Sequence, residues 1–236
     1  MVKPSSPAAE PEPATADAPR LLTAALTLGL LAAALALLVF SWLGREISTG
    51  VTPAADEHFR EAVRDYASPW LTQVMIAASR YGGPSWLVPL GLVLAIGFFV
   101  KRWPRGAVLV LVTMAGAGLL NGLLKQTFAR ARPAAFFPEY PLPTSLSFPS
   151  GHAFFAASFL GGVAALLSGR IRSTVLRVVI WVATVGLILL IGFSRVYLGV
   201  HYPSDVFAGY AAAIVWVAAV ALGDRLVSHR RSRRMS

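Results

Sequence analysis

Apolar residues gather into six runs along the chain, at about 21–43, 86–100, 107–124, 153–168, 175–193 and 206–223. Several are shorter than the ~20 residues that cross a bilayer, but weakly polar flanks extend them. Pro84 and Pro89 crowd the start of the second run. The pattern predicts an all-α, polytopic membrane protein with six transmembrane helices. Between the first two runs lies a segment of different character, residues 44–85. Asp56 to Tyr66 carry mixed charges there, and Ser68-Pro69 reads as a helix start, with Ser as N-cap and Pro at the first helical position. The apolar stretch from Trp70 to Ser79 is too short to span and ends in Arg80 and Gly82-Gly83. It is expected to form a short helix in the first outer loop, lying at the interface or packed on the bundle.

The ends of the chain follow other rules. Residues 1–20 are rich in Pro, Ala and acids without apolar periodicity, which predicts a disordered N-tail. No cleavable signal peptide is apparent, because the polar stretch before the first run is long and not notably basic. Residues 21–223 form the membrane domain, and residues 224–236 a basic C-tail.

Composition agrees with a membrane protein and excludes an ordinary soluble one. Of 236 residues, 56% are hydrophobic and 14% charged, against roughly 25% charged in soluble chains. Mean hydropathy is +0.64. Cysteine is absent, which excludes disulfides, thiolate metal sites and a cysteine nucleophile. The net charge of +10 does not point to nucleic acid, because Arg225, Arg230, Arg231, Arg233 and Arg234 crowd one end. Such a juxtamembrane tail reads as a topology signal and a contact for anionic lipid.

Basic residues then set the orientation. Lys3, Arg20, Lys101, Arg102, Arg105, Arg170, Arg172, Arg177 and the five arginines of the C-tail fall on one side, 13 in all. Arg45, Arg60, Arg64, Arg80, Lys125, Arg130, Arg132 and Arg195 fall on the other, and the first four share a loop with five acids. The larger set marks the cytoplasm and puts both termini there, in the cytoplasmic membrane.

That topology sends four clusters to the same outer face. Lys125 and Arg132 follow the third run, and Ser150-Gly151-His152 opens the fourth. Arg195 follows the fifth, and His201 and Asp205 open the sixth. Ionisable groups at such a depth are costly and usually functional. Lysine and two arginines suit phosphoryl oxygens. Pro149-Ser150-Gly151-His152 looks like a loop entering a helix N-terminus, which favours an anion, and Gly151 lets the backbone approach closely. One histidine could attack phosphorus while the other protonates the leaving oxygen. Asp205, four residues after His201, could hold an imidazole N–H and set its tautomer.

These residues carry a resemblance. Lys125-x6-Arg132-Pro133, Pro149-Ser150-Gly151-His152 and Ser194-Arg195-x5-His201-x3-Asp205 are similar, position for position, to the three-part signature of the type 2 phosphatidic acid phosphatase (PAP2) family. That family also includes vanadium haloperoxidases and glucose-6-phosphatase-like enzymes. The resemblance covers about residues 70–223 and implies that His201 is a nucleophile forming a phosphohistidine, with Asp205 as its orienting partner. It implies that His152 is the general acid and that Lys125, Arg132, Ser150, Gly151 and Arg195 hold the phosphoryl group. It also implies that neither metal ion nor other cofactor is needed, and the outer face offers no carboxylate cluster fit for Mg²⁺.

The expected activity is removal of phosphate from a lipid-linked mono- or diphosphate at the outer surface. Undecaprenyl diphosphate is the first expectation for the substrate. Phosphatidic acid, phosphatidylglycerol phosphate and a lipid phosphotransfer reaction are the alternatives. A haloperoxidase and a non-enzymatic anion or lipid carrier are the rivals of other kinds. The expected partners are the lipid phosphate and membrane lipids, with no nucleic acid and no signal for oligomeric state. Outside the motif, Asn121 is expected to bond Lys125 or to serve helix packing. Arg130, Glu139, His58 and His229 are expected to be solvated, and Gly116, Gly118, Gly161 and Gly162 to serve close helix packing.

Overall fold

The computed structural model describes residues 17–50, 53–137 and 140–235, all of them helix, turn or loop. The eight helices are α1 (Asp17–Ser48), α2 (Pro53–Asp65), α3 (Pro69–Tyr81), α4 (Pro84–Val100), α5 (Pro104–Phe128), α6 (Gly151–Ser168), α7 (Thr174–Tyr197) and α8 (Pro203–Met235). Among the described residues, five helices are long and apolar enough to cross a membrane: α1, α5, α6, α7 and α8. α3 and α4, bent by 48° at their junction, pass the same test together, which brings the number of spans to six if the bent pair is one span. Gly82 and Gly83 form that junction, and Pro84 opens the second arm.

Four features add to the sequence reading. The apolar Trp70–Ser79 stretch is a helix as expected, and Ser68 accepts a hydrogen bond from Leu71 N at 3.4 Å with Pro69 behind it. That helix packs along α7 and runs on into α4. Secondly, the mixed-charge segment at 56–66 is largely a further helix, α2. Its inward stripe is Asp56, Arg60 and Val63, spaced four and three residues apart but largely polar, so the helix carries no apolar periodicity. Thirdly, α1 begins at Asp17, inside the expected tail, while residues 1–16 lie outside the described residues. Finally, α8 continues through the C-terminal arginines to Met235, so the basic stretch is helical.

α8 lies at the centre, against α1, α5, α6 and α7. The main apolar core joins α4, α5 and α6 through Leu87, Val110, Met114, Phe154, Phe155 and Phe159. The outer flanks are just as apolar. Leu28, Leu31, Leu35, Leu38 and Trp42 of α1 are exposed on one continuous stripe. A helix apolar on every side is at home in lipid, which solvates the outward face as well as the core does the inner one. Where α6 and α8 cross, a Cβ added at Gly209 would meet Ser150 O at 2.8 Å. That close approach brings the first turns of α6 and α8 to one place.

Candidate active site

The four clusters converge where α5, α6, α7 and α8 meet the loops at one end of the bundle. After α5 the chain leaves the helix through Ala129 in the left-handed conformation, φ 46°. It then leaves helical structure through Arg130, Ala131 and Arg132, where both arginines are partly buried and both alanines exposed. Lys125, in the last turn of α5, donates to Leu146 O and, at 3.4 Å, to Ser147 O. It thereby ties its own helix to the loop before α6.

His201 sits in the tight turn between α7 and α8. Val200 N and His201 N both donate to Arg195 O, at 3.1 and 3.3 Å. Gly199 closes the turn with φ 73°, and a Cβ there would fall 2.7 Å from Phe136 N, so both backbone and space call for glycine. The His201 ring is buried, with Nδ1 3.1 Å from Asp205 Oδ2 and Nε2 2.9 Å from an Arg132 Nη1. Arginine can only donate, so Nε2 accepts and the ring proton is on Nδ1, donated to Asp205. The lone pair of Nε2 therefore faces the guanidinium. Burial, and the Arg132 and Arg195 cations with it, push the His201 imidazole far below its usual range, against the raising pull of Asp205.

Asp205 is fully buried and fully engaged. Ser147 Oγ and Tyr202 N donate to Oδ2, the latter at 3.0 Å, and Arg130 Nη1 donates to Oδ1 at 2.7 Å. Its ion-pair partner is thus Arg130, not Arg195. Arg132 is fixed by Ser145 O at 2.5 Å, Ser145 Oγ at 3.0 Å and Val200 O at 2.6 Å. Burial pulls its guanidinium down to about 10, so it stays charged at neutral pH. Arg195 lies in the last turn of α7 and donates to Ser79 Oγ and Tyr140 Oη, which are themselves 2.8 Å apart.

Ser150 caps α6, and its N–H donates to Asp205 O at 2.9 Å. Gly151 opens that helix beside Asn121, which packs there rather than on Lys125. His152 lies one residue further, hydrogen-bonded to the Ser79 backbone and within electrostatic reach of Arg195, His201 and Arg132. A Cβ at Gly83 would meet its Nε2 at 2.8 Å. The Oγ of Ser150 and the Nε of Arg195 are buried without a hydrogen-bond partner among the described residues. Buried polar atoms of that kind are rare and mark places where another group can be accepted. Among the described residues no three His, Asp or Glu side chains gather so as to hold a metal ion.

Every site residue predicted from the sequence therefore lies in one cluster. Sequence reasoning missed Ser147, Ser79, Tyr140, Asp56 and Arg130. Arg130 is the instructive case, because it was expected in solvent. Its alternation with Arg132 in the non-helical Ala129–Pro133 stretch was the available signal. Glu139 lies outside the described residues, and His58 is exposed as expected.

A multi-pass helical membrane protein with a cationic, two-histidine site at one end of its bundle is thereby defined. The profile of the PAP2 superfamily matches residues 106–225. Phosphatidylglycerophosphatase B of Bacillus subtilis is 34% identical over 180 residues, covering 75% of this chain and 87% of that protein. Undecaprenyl-diphosphatase of Sulfolobus acidocaldarius is 33% identical over 146 residues, covering 59% of this chain and 64% of that protein. The crystal structure of a transmembrane PAP2-type phosphatidylglycerolphosphate phosphatase from Bacillus subtilis matches with a TM-score of 0.75 at 31% identity, over 83% of this chain and 96% of that one. The chain belongs to the PAP2 superfamily. It is a membrane-bound lipid phosphatase.

Proposed function

We propose that the protein releases phosphate from a phosphatidylglycerol phosphate-like lipid through a phosphohistidine on His201. The observation that carries the mechanism is the His201 ring, held between Asp205 on Nδ1 and Arg132 on Nε2. A nitrogen lone pair pointing at a fixed cation is a nucleophile aimed at the place where an anion is drawn. Phosphoryl oxygens take over the Arg132 donor and reach Lys125, Arg195 and the N-terminus of α6 at Ser150 and Gly151. Nε2 then forms a bond to phosphorus as the ester P–O bond breaks. Protonated His152 gives its proton to the departing oxygen. In the second half, His152 takes a proton from water, the water oxygen bonds phosphorus, and the P–N bond breaks to release phosphate. Asp205 holds the Nδ1 proton throughout and offsets the charge that grows on the ring.

The basic-residue asymmetry supports an outward-facing site with both termini in the cytoplasm. The diacylglycerol-based substrate is favoured because the relative and the solved structure with that activity in their names align over most of this chain. Undecaprenyl diphosphate is the second reading, supported by the archaeal relative of that name. Phosphate release from the two lipids by detergent-purified protein, with EDTA present, tests both readings. Faster turnover of phosphatidylglycerol phosphate supports the first, and faster turnover of undecaprenyl diphosphate supports the second. Release from neither overturns the proposal.

A further inference from the structure

Arg130 is not one of the phosphate-binding cations proposed above, yet it pairs with two buried carboxylates beside the site, Asp56 and Asp205. Its Nη1 donates to Asp205 Oδ1 and to Ser204 Oγ, both at 2.7 Å, and its Nη2 to Asp56 Oδ2 at 2.8 Å. The guanidinium carbon lies 4.0 Å from the centre of the Tyr202 ring, a stacked cation–π position. Asp56 completes the frame. Its Oδ1 accepts from Ser204 N at 3.0 Å and its Oδ2 from Ser204 Oγ, so α2 caps the first turn of α8 from outside. Asp56, Asp205 and Arg130 are all largely buried.

The consequence lies in how Asp205 is divided. One carboxylate oxygen is taken by Arg130, which leaves the other to His201 Nδ1, Ser147 and Tyr202 N. An aspartate held at one oxygen cannot rotate about its terminal bond, so the imidazole it orients is fixed as well. Two buried carboxylates share the one guanidinium, so the cluster tolerates both charges only while Arg130 is present.

We propose that Arg130, clamped by Asp56 from α2, is a positioning residue that locks Asp205 and through it the His201 ring. This rests on the reading of His201 as nucleophile. It also gives α2 a task, since Asp56 lies outside the residues that the family profile matches. Arg130 faces away from the His201 Nε2 side, which Arg132 occupies. Its loss therefore lowers kcat and leaves KM nearly unchanged.

Four full-length variants in detergent test this: Arg130→Gln, Arg130→Lys, Asp56→Asn and His201→Ala. The assay lipid is whichever of phosphatidylglycerol phosphate and undecaprenyl diphosphate the wild type hydrolyses faster. Arg130→Gln is expected to lose on the order of 10- to 100-fold in kcat, with KM within about threefold, as for loss of an orienting group. Arg130→Lys keeps the charge but not the fork, and recovers part of that loss. Asp56→Asn loses less than Arg130→Gln, because Arg130 keeps its contact to Asp205. It carries the test alone if the Arg130 variants fail to fold, with kcat at wild-type level overturning the clamp. A raised KM with kcat preserved would make Arg130 a direct phosphate ligand and overturn the inference. So would wild-type kcat in Arg130→Gln. An active His201→Ala removes the underlying reading of the site instead, whatever the Arg130 variants do.

Discussion

Most of α7 turns Val175, Val178, Val182, Val185 and Leu189 outward, whereas its last turn buries Ser194, Arg195 and Tyr197. One helix thus follows two opposite rules. Along the bundle, exposure costs an apolar side chain nothing when lipid is the neighbour, so the outward face needs no polar residues. At the site end, loops and helix ends enclose a volume where charge is buried only because each charge has a partner. Arg195 has Ser79 and Tyr140, Arg130 has Asp56 and Asp205, and His201 has Asp205 and Arg132. Substitutions should therefore be severe at the enclosed end and mild along the flank.

The largest effect on that side of the comparison belongs to His201, whose loss is taken up last, and the next largest is expected at His152. His152→Ala should lower kcat by about 10²- to 10⁴-fold, the range for loss of a general acid. Steady-state phosphate release checks this. A leaving group that needs no protonation, such as p-nitrophenolate, should restore the first half-reaction alone, seen as a burst of p-nitrophenolate, while hydrolysis of the phosphohistidine, in which His152 is the base, stays slow.

Next comes Arg60, a buried cation with a structural task. It donates to Ala134 O at 2.8 Å and Gly199 O at 3.4 Å, pairs with Glu57, and lies over the rings of Phe136 and Tyr202. Arg60→Ala should cost about 2–4 kcal/mol, since it leaves buried carbonyls unpaired as well as removing ring contacts. A lowered melting temperature in micelles, with little change in KM, is the expected result.

A smaller effect follows from pH. Because burial depresses His201 below its unfolded value, the folded ring stays neutral while the unfolded one takes up a proton near pH 6.5. Above that pH neither form is protonated and His201 adds nothing to the pH dependence. Below it the unfolded state binds the extra proton, so stability falls as pH falls, by about 2 kcal/mol at pH 5. Melting temperatures at pH 7.5 and pH 5 should differ more for wild type than for His201→Asn. The smallest effect belongs to the flank. Val178→Ala and Val182→Ala should each change stability by no more than about 0.5 kcal/mol.

The same contrast explains what the sequence made legible. The spans were readable because lipid demands long apolar runs, and Lys125, Arg132, Ser150, His152, Arg195, His201 and Asp205 because each lies near a run's end. The bend between α3 and α4 was not readable, since an apolar stretch of that length suits a surface helix equally well. The inward stripe of α2 was hidden for a different reason. Asp56 and Arg60 look like solvated charges until partners 74 or more residues away bury them. Such pairing is tertiary and leaves no local periodicity.

His201 as the nucleophile that takes up the phosphoryl group is tested most directly by one comparison. Phosphate release from phosphatidylglycerol phosphate and undecaprenyl diphosphate would be measured for wild type and His201→Ala, both shown to be folded by their melting curves. The predicted result is a loss of at least about 10³-fold in turnover of the preferred lipid. A His201→Ala protein that retains turnover within tenfold of wild type would contradict the account.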